Sequence, residues 1–247
     1  PGIGGYRMDT IKHVNQRYWD DFNADVFGAF PDKTIVGEYF NAGAYYEYSH
    51  PFFERTNMSM FDFDFRYVMS DIFLRKKPMW LLTQLWEADP ALIDAREMIT
   101  FLDNHDVPRL RGRGMSAQRM RQAIVVWLMS RGVPCIYYGM EQDLFHPGDP
   151  GDPYNRPQMT SFDQQSEWFV LMQQLIALRK ENTAVRNGST HVVHLSEHIL
   201  AFERVDGDRV VLVATSKNPR GAGDSFPLNN LRLPDGDYQD HLTGDSY

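Results

Sequence analysis

Five apolar strand candidates, each followed by helical periodicity, and a last quarter that switches to two-residue alternation predict an α/β chain: part of a (β/α)8 TIM barrel with an antiparallel β domain behind it. The strand candidates lie at 3–9, 34–38, 57–62, 98–103 and 133–138. The helical segments between them supply the crossovers that parallel strands need. A complete eight-stranded barrel takes roughly 250 residues by itself, whereas this chain has 247 and gives some of them to the β region. Five strands do not close such a barrel.

Residues 14–28 place Val14, Tyr18, Phe22 and Val26 four apart, and 117–131 place Met120, Ile124, Trp127 and Leu128 on one face. Both segments are expected to cover the barrel. Residues 166–182, with Trp168, Leu171, Met172, Leu175 and Leu178, are expected to form its last helix. After about residue 187 the stretches STHVVHL, HILAFERV, DRVVLVATS and SFPLNNLRL alternate, separated by the turn signals VDGD and NPRGAGD. The expected division is 1–186 for the barrel portion and 187–247 for the β domain.

A net charge of −8 and the lack of a basic run exclude a phosphate-binding surface, so no nucleic-acid partner is expected. No apolar stretch reaches the ~20 residues that span a bilayer, so no membrane partner is expected either. The one cysteine, Cys135, lies in VPCIYY. It is expected to be a buried core thiol and cannot form an intrachain disulfide.

Three acidic residues close apolar stretches: Asp9 in GGYRMDTIKHV, Glu38 in KTIVGEYF and Asp106 in MITFLDNHDVPR. One acid after an apolar run is ordinarily a solvated surface group. Three in the same context point to the C-terminal ends of barrel strands, where this fold presents its reactive groups. Arg7 lies two residues before Asp9, on the same face of an extended strand. There a guanidinium favours the carboxylate form; an ordinary structural ion pair is the alternative.

These stretches resemble signature regions of the α-amylase family of retaining glycosidases and transglycosylases. GYRMDTIKH resembles its nucleophile region, the GE strand its acid/base region and DNHD its transition-state region, while GVPCIYYGMEQ at 132–142 resembles its last strand. The four occur in the family's order, and the resemblance covers nearly the whole chain. It implies that Asp9 attacks the anomeric carbon, that Glu38 is the general acid/base and that Asp106 stabilises the transition state. A retaining enzyme holds two carboxyl groups roughly 5–5.5 Å apart, one forming a glycosyl ester and the other protonating the leaving oxygen. Asp9 must then be ionised while Glu38 holds a proton near neutral pH.

The resemblance assigns further substrate-binding roles. His105 would hydrogen-bond sugar hydroxyls, Lys12 and His13 would lie toward the leaving-group side, and Phe40 would stack on the acceptor sugar as in cyclodextrin-forming members. Asp152 and Arg156 of DPYNR would hold a glucose unit deeper on the non-reducing side. Each has a plainer alternative in the residues themselves. Lys12 and His13 also suit a helix start, Phe40 with Tyr39, Tyr45, Tyr46 and Tyr48 also suits a small core cluster, and HPGDPGDPYNRP also reads as turns. Calcium is implied for a full-length parent, with the main-chain carbonyl of His13 as one ligand. The other ligands come from segments outside this chain, so no metal is expected in the chain alone.

The implied partner is an α-glucan. The implied activity is hydrolysis of α-1,4-glucosidic bonds in starch-like glucans by double displacement, with a cyclodextrin-forming or other α-glucan transglycosylase as the alternative. A non-catalytic glucan-binding relative, or an inactive fragment, is the second alternative. Extracellular or periplasmic placement follows from the resemblance alone. The chain is expected to be the C-terminal portion of a longer enzyme, with the C-terminal five strands of the barrel and an incomplete β-sandwich.

Overall fold

The computed structural model describes residues 2–40, 46–56, 58–92, 94–218, 226–228 and 230–247. All five expected barrel strands are present and shorter than their apolar runs: β1 Gly5–Met8, β2 Thr34–Gly37, β3 Ser59–Met60, β4 Ile99–Thr100 and β5 Val133–Pro134. β1, β2 and β3 pair in parallel in that order, and β4 pairs in parallel with β5. A parallel bridge from Phe61 to Ile99 joins the two groups. The strands therefore run in chain order with all their C-terminal ends on one side. Among the described residues β1 and β5 each have one strand neighbour.

Helices cover this array, and their starts follow from side-chain caps. Asn15 accepts the Arg17 N–H to open α1 (Gln16–Ala29), Ser116 accepts that of Arg119 to open α5 (Ala117–Met129), and Ser166 accepts that of Phe169 to open α6 (Glu167–Glu181). α5 buries Met120, Ile124, Trp127 and Leu128, as its spacing predicts. Each such side chain contributes about 1.5–3 kcal/mol by leaving water. α6 buries Trp168, Met172 and Leu175. Between β2 and β4 the chain adds α2 (His50–Thr56), α3 (Phe63–Met69) with a π-helical turn over Ser70–Leu74, and α4 (Trp80–Glu87).

α1 meets part of the expected face. Phe22 and Val26 pack against the core as expected, whereas Val14 precedes the helix, Tyr18 is exposed, and Trp19 and Asn23 are the fully buried residues. The indole of Trp19 donates to the Ile11 carbonyl and the amide of Asn23 to that of Thr56. Those two partners lie on the core side. Cys135 is likewise exposed, not buried. It follows β5, which has one strand neighbour among the described residues.

Two buried arginines tie the lower end of the array together. Arg179 of α6 donates to the carbonyls of Leu128 and Ser130, which the end of α5 leaves open. Arg131 meets Asp62 at 2.5 Å and Asp89 at 2.6 Å, and also donates to the Tyr46 hydroxyl. Gly132, between them and β5, has φ 92° and would bring a Cβ within 2.7 Å of the Met98 carbonyl, so no side chain fits there.

β6 (Ser189–Leu195), β7 (Ile199–Asp206) and β8 (Arg209–Ser216) form an antiparallel sheet in chain order. It rests on the helices through residues such as Phe202, whose ring lies 4.9 Å from Trp86. The expected fourth strand, SFPLNNLRL, is not a strand among its described residues. Its Arg232 and Leu233 N–H groups donate instead to the buried Glu203 carboxylate. Most of NPRGAGD, with Ser225 and Asn229, lies outside the described residues, as does Tyr45.

Candidate active site

The C-terminal ends of the parallel strands gather the three acids. Asp9 follows β1 directly, Glu38 follows β2 directly, and Asp106 lies in the loop after β4. The backbone of Glu38 brackets Asp9: its N–H donates to Met8 at 2.8 Å and its carbonyl accepts from Ile11 at 3.1 Å. Two residues past β1 the chain turns at Thr10, whose φ of 51° is costly for a β-branched residue. This turn sends Lys12 and His13 away over the rim.

Arg7 joins the first two acids. Its Nη2 donates to Glu38 Oε2 at 2.7 Å, and its Nη1 lies 3.3 Å from Asp9 Oδ1. The neighbouring Glu38 carboxyl first, and then Arg7, hold the exposed Asp9 carboxyl below its usual range. Glu38 is only 4% exposed. Burial first, then the neighbouring Asp9 carboxyl and the negative charge of Asp106, push it up to about 7 against the opposing pull of Arg7. Two neighbouring carboxyl groups thus stand in opposite protonation states near neutral pH, the arrangement that acid/base and nucleophile roles require.

The remaining expected residues fall into two groups around this trio. On one side Lys12 Nζ donates to the Phe40 carbonyl at 2.7 Å and lies 5.6 Å from the centre of its ring. Phe40 is half-exposed and packs on Phe63 at 4.7 Å, and Phe63 meets Phe101 edge-on at 5.0 Å. Tyr39 packs instead on Phe52, Tyr46 is buried and Tyr48 is exposed, so the described aromatics of the expected cluster go to separate places. His13 is exposed at the rim. On the other side His105 Nε2 lies 3.1 Å from Asp106 Oδ2, and Arg156 lies 3.9 Å from Asp106 and 3.3 Å from Asp152.

Sequence reasoning missed what supports the Asp106 loop. Asn104 Oδ1 accepts the N–H groups of Asp106 and Val107, a local turn legible in Asn placed two residues before Asp. Asp103 accepts the Leu110 N–H, and Arg66 donates to the carbonyls of Leu102 and Pro108. Asn155 reaches the same loop from 50 residues away in sequence, for which no local signal exists.

A calcium ion takes six to eight oxygen ligands. The resemblance supplies one of them for a full-length parent, the His13 carbonyl, and no group of three His, Cys, Asp or Glu suited to a metal occurs among the described residues. No helix among the described residues is long and apolar enough to cross a membrane.

Residues 1–148 match the family described as alpha amylase, catalytic domain. The chain belongs to the alpha-amylase family. A cyclomaltodextrin glucanotransferase of Paenibacillus macerans is 32% identical over 248 residues, covering 98% of this chain and 34% of its own length. An alpha-amylase of Niallia circulans is also 32% identical, over 98% of this chain and 45% of its own length. The crystal structure of a gamma-cyclomaltodextrin glucanotransferase from alkalophilic Bacillus clarkii superposes with a TM-score of 0.88 at 32% identity, over 98% of this chain and 36% of that one. The chain therefore spans about a third to a half of the length of these relatives.

Proposed function

We propose that the chain carries the acid/base, nucleophile and stabilising groups of a retaining α-1,4-glucan transglycosylase, with hydrolysis as the minor outcome. The observation that carries this reading is the opposite displacement of the Asp9 and Glu38 carboxyl groups beside Asp106. In the first step Asp9 attacks the anomeric carbon and the Glu38 proton passes to the departing glycosidic oxygen. Asp106 balances positive charge that develops on the sugar. In the second step the Glu38 carboxylate takes a proton from an acceptor hydroxyl, whose oxygen attacks the same carbon and frees Asp9. When that hydroxyl belongs to the far end of the same glucan, the product is a ring. When it belongs to water, the product is a linear sugar.

Transfer is favoured over the hydrolysis expected from sequence because relatives at 31–34% identity over 98% of the chain are mostly cyclomaltodextrin glucanotransferases. The half-exposed ring of Phe40, held beside Lys12, offers an acceptor sugar an apolar face. Asp152 and Arg156, paired at 3.3 Å, are proposed to hold a sugar farther from the cleaved bond, and His105 one beside it. Placement outside the cytoplasm belongs to the same reading.

The division into a barrel portion, 1–186, and an incomplete β-sandwich, 187–247, is also part of this proposal. So is dependence on upstream barrel strands. Val133 of β5 and Ile136 and Tyr138 just after it are exposed, as are Ile3, Tyr6 and Tyr18 beside β1. A groove of about 400 Å³ next to β5 is lined by Ile136, Phe169, Met172 and Ile176. Three further strands between β1 and β5 would cover all of these surfaces.

Chromatography of the products from soluble starch tests the activity, using the chain alone and extended by the upstream barrel strands. Cyclic products from the extended protein, abolished by Glu38→Gln, are the expected result. Linear products alone return the reading to hydrolysis, and no turnover from either protein favours a non-catalytic relative.

A further inference from the structure

Asp106 sits in an exposed loop, yet its backbone is held from both sides by one side chain. Asn155 is fully buried. Its Nδ2 donates at 2.7 Å to the His105 carbonyl and at 3.1 Å to the Val107 carbonyl, the residues on either side of Asp106. A primary amide has two N–H groups. Both are used here, on two carbonyls that straddle a single acid.

The clamp is itself locked in place. Arg109, 1% exposed, donates through Nε to the Asn155 carbonyl and through Nη2 to that of Tyr138. Its guanidinium lies 4.4 Å from the Tyr137 ring centre and 4.9 Å from that of Tyr138. The buried Asp149 accepts the N–H groups of Arg109 and Gly151, joining the start of the 149–156 segment to the same loop. Arg156 adds two bonds of 3.2 Å to the His105 carbonyl. The DPYNR segment therefore grips the Asp106 loop through its Asn, a contact separate from any sugar held by Asp152 or Arg156.

We propose that Asn155 is a positioning residue for Asp106: by fixing the peptide units before and after it, Asn155 sets where that carboxylate stands relative to Glu38 and Asp9. A group that stabilises a transition state loses effect when displaced by about 1 Å, while substrate binding is largely kept. Loss of the clamp should therefore lower kcat and spare KM. This rests on the proposed activity.

The test is a double-mutant cycle between Asn155 and Asp106 in the protein extended by the upstream barrel strands. α-Maltosyl fluoride is the substrate, because its good leaving group keeps the slow variants measurable through fluoride release. Asn155→Ala is expected to lower kcat about tenfold or more, equivalent to about 1.4 kcal/mol, with KM within about twofold. In the Asp106→Asn background the same change should cost less than about twofold, because the carboxylate it positions is gone. Equal losses in both backgrounds would assign Asn155 a purely structural role and overturn the proposal. Asn155→Asp keeps the size and shape and removes both N–H donors, so it serves if the alanine variant fails to fold, and a wild-type kcat from it overturns the proposal as well. A wild-type protein with no turnover would instead sink the activity on which the inference rests.

Discussion

Asp9 and Glu38 flank one guanidinium, Arg7 lying 3.3 Å from the first and 2.7 Å from the second, yet their carboxyl groups move apart in acidity: Asp9 goes downward in solvent and Glu38, chiefly through burial, goes up to about 7. Chain order does not impose this. It comes from two adjacent parallel strands that deliver one acid into solvent and the other into a buried position beside it.

The buried acid has a cost in stability. The folded form holds Glu38 near 7 against an ordinary value of 4.5, so its favourable contribution is complete below about pH 4.5 and is lost as pH rises through 7. Glu38→Gln should therefore unfold at a higher temperature than the wild type at pH 8, by about 1–2 kcal/mol, with the gap closing toward pH 4. Thermal melts at the two pH values read this directly. An equal or lower midpoint at pH 8 would mean that Arg7 outweighs burial.

Arg7 is the one charge that pulls Glu38 back toward ionisation. Removing it with Arg7→Met should raise the Glu38 pKa further and shift the basic limb of the kcat/KM profile to higher pH. The rate should also fall by at least about tenfold, or about 1.4 kcal/mol, because Asp9 loses the cation that favours its nucleophilic form. An unmoved basic limb would show that Glu38 does not govern it.

Arg131 serves the fold and stands apart from the chemistry. It neutralises the buried Asp62 and the partly buried Asp89, so Arg131→Met should leave both carboxylates without their cation and cost about 3–5 kcal/mol. Denaturant unfolding measures this. A loss below about 1 kcal/mol would mean that water reaches the pair.

Phe40 should decide products more than rate. Phe40→Ala removes an apolar face from the acceptor side while leaving its carbonyl for Lys12. The ratio of cyclic to linear products from starch should drop severalfold, with total bond cleavage little changed. An unchanged ratio would remove Phe40 from acceptor recognition.

The sequence alone determined the five parallel strands, the three capped helices, the family and the three acids, because each is written locally. Strand runs, Ser and Asn caps, and acids placed within four residues of an apolar stretch depend on neighbours in the chain. Only the tertiary structure decided the rest. Phe22 and Val26 of α1 pack as their spacing predicts, but the burial of Trp19 and Asn23 depends on the distant carbonyls that accept from them. Cys135 is exposed beside β5, which has one strand neighbour among the described residues, and strand pairing is not written in composition. The raised Glu38 and the Asn155 clamp on Asp106 join residues 29 and 50 or 48 positions apart, respectively. Electrostatics and hydrogen bonding act through space, and such pairings come into being when the strands and their loops have closed around them.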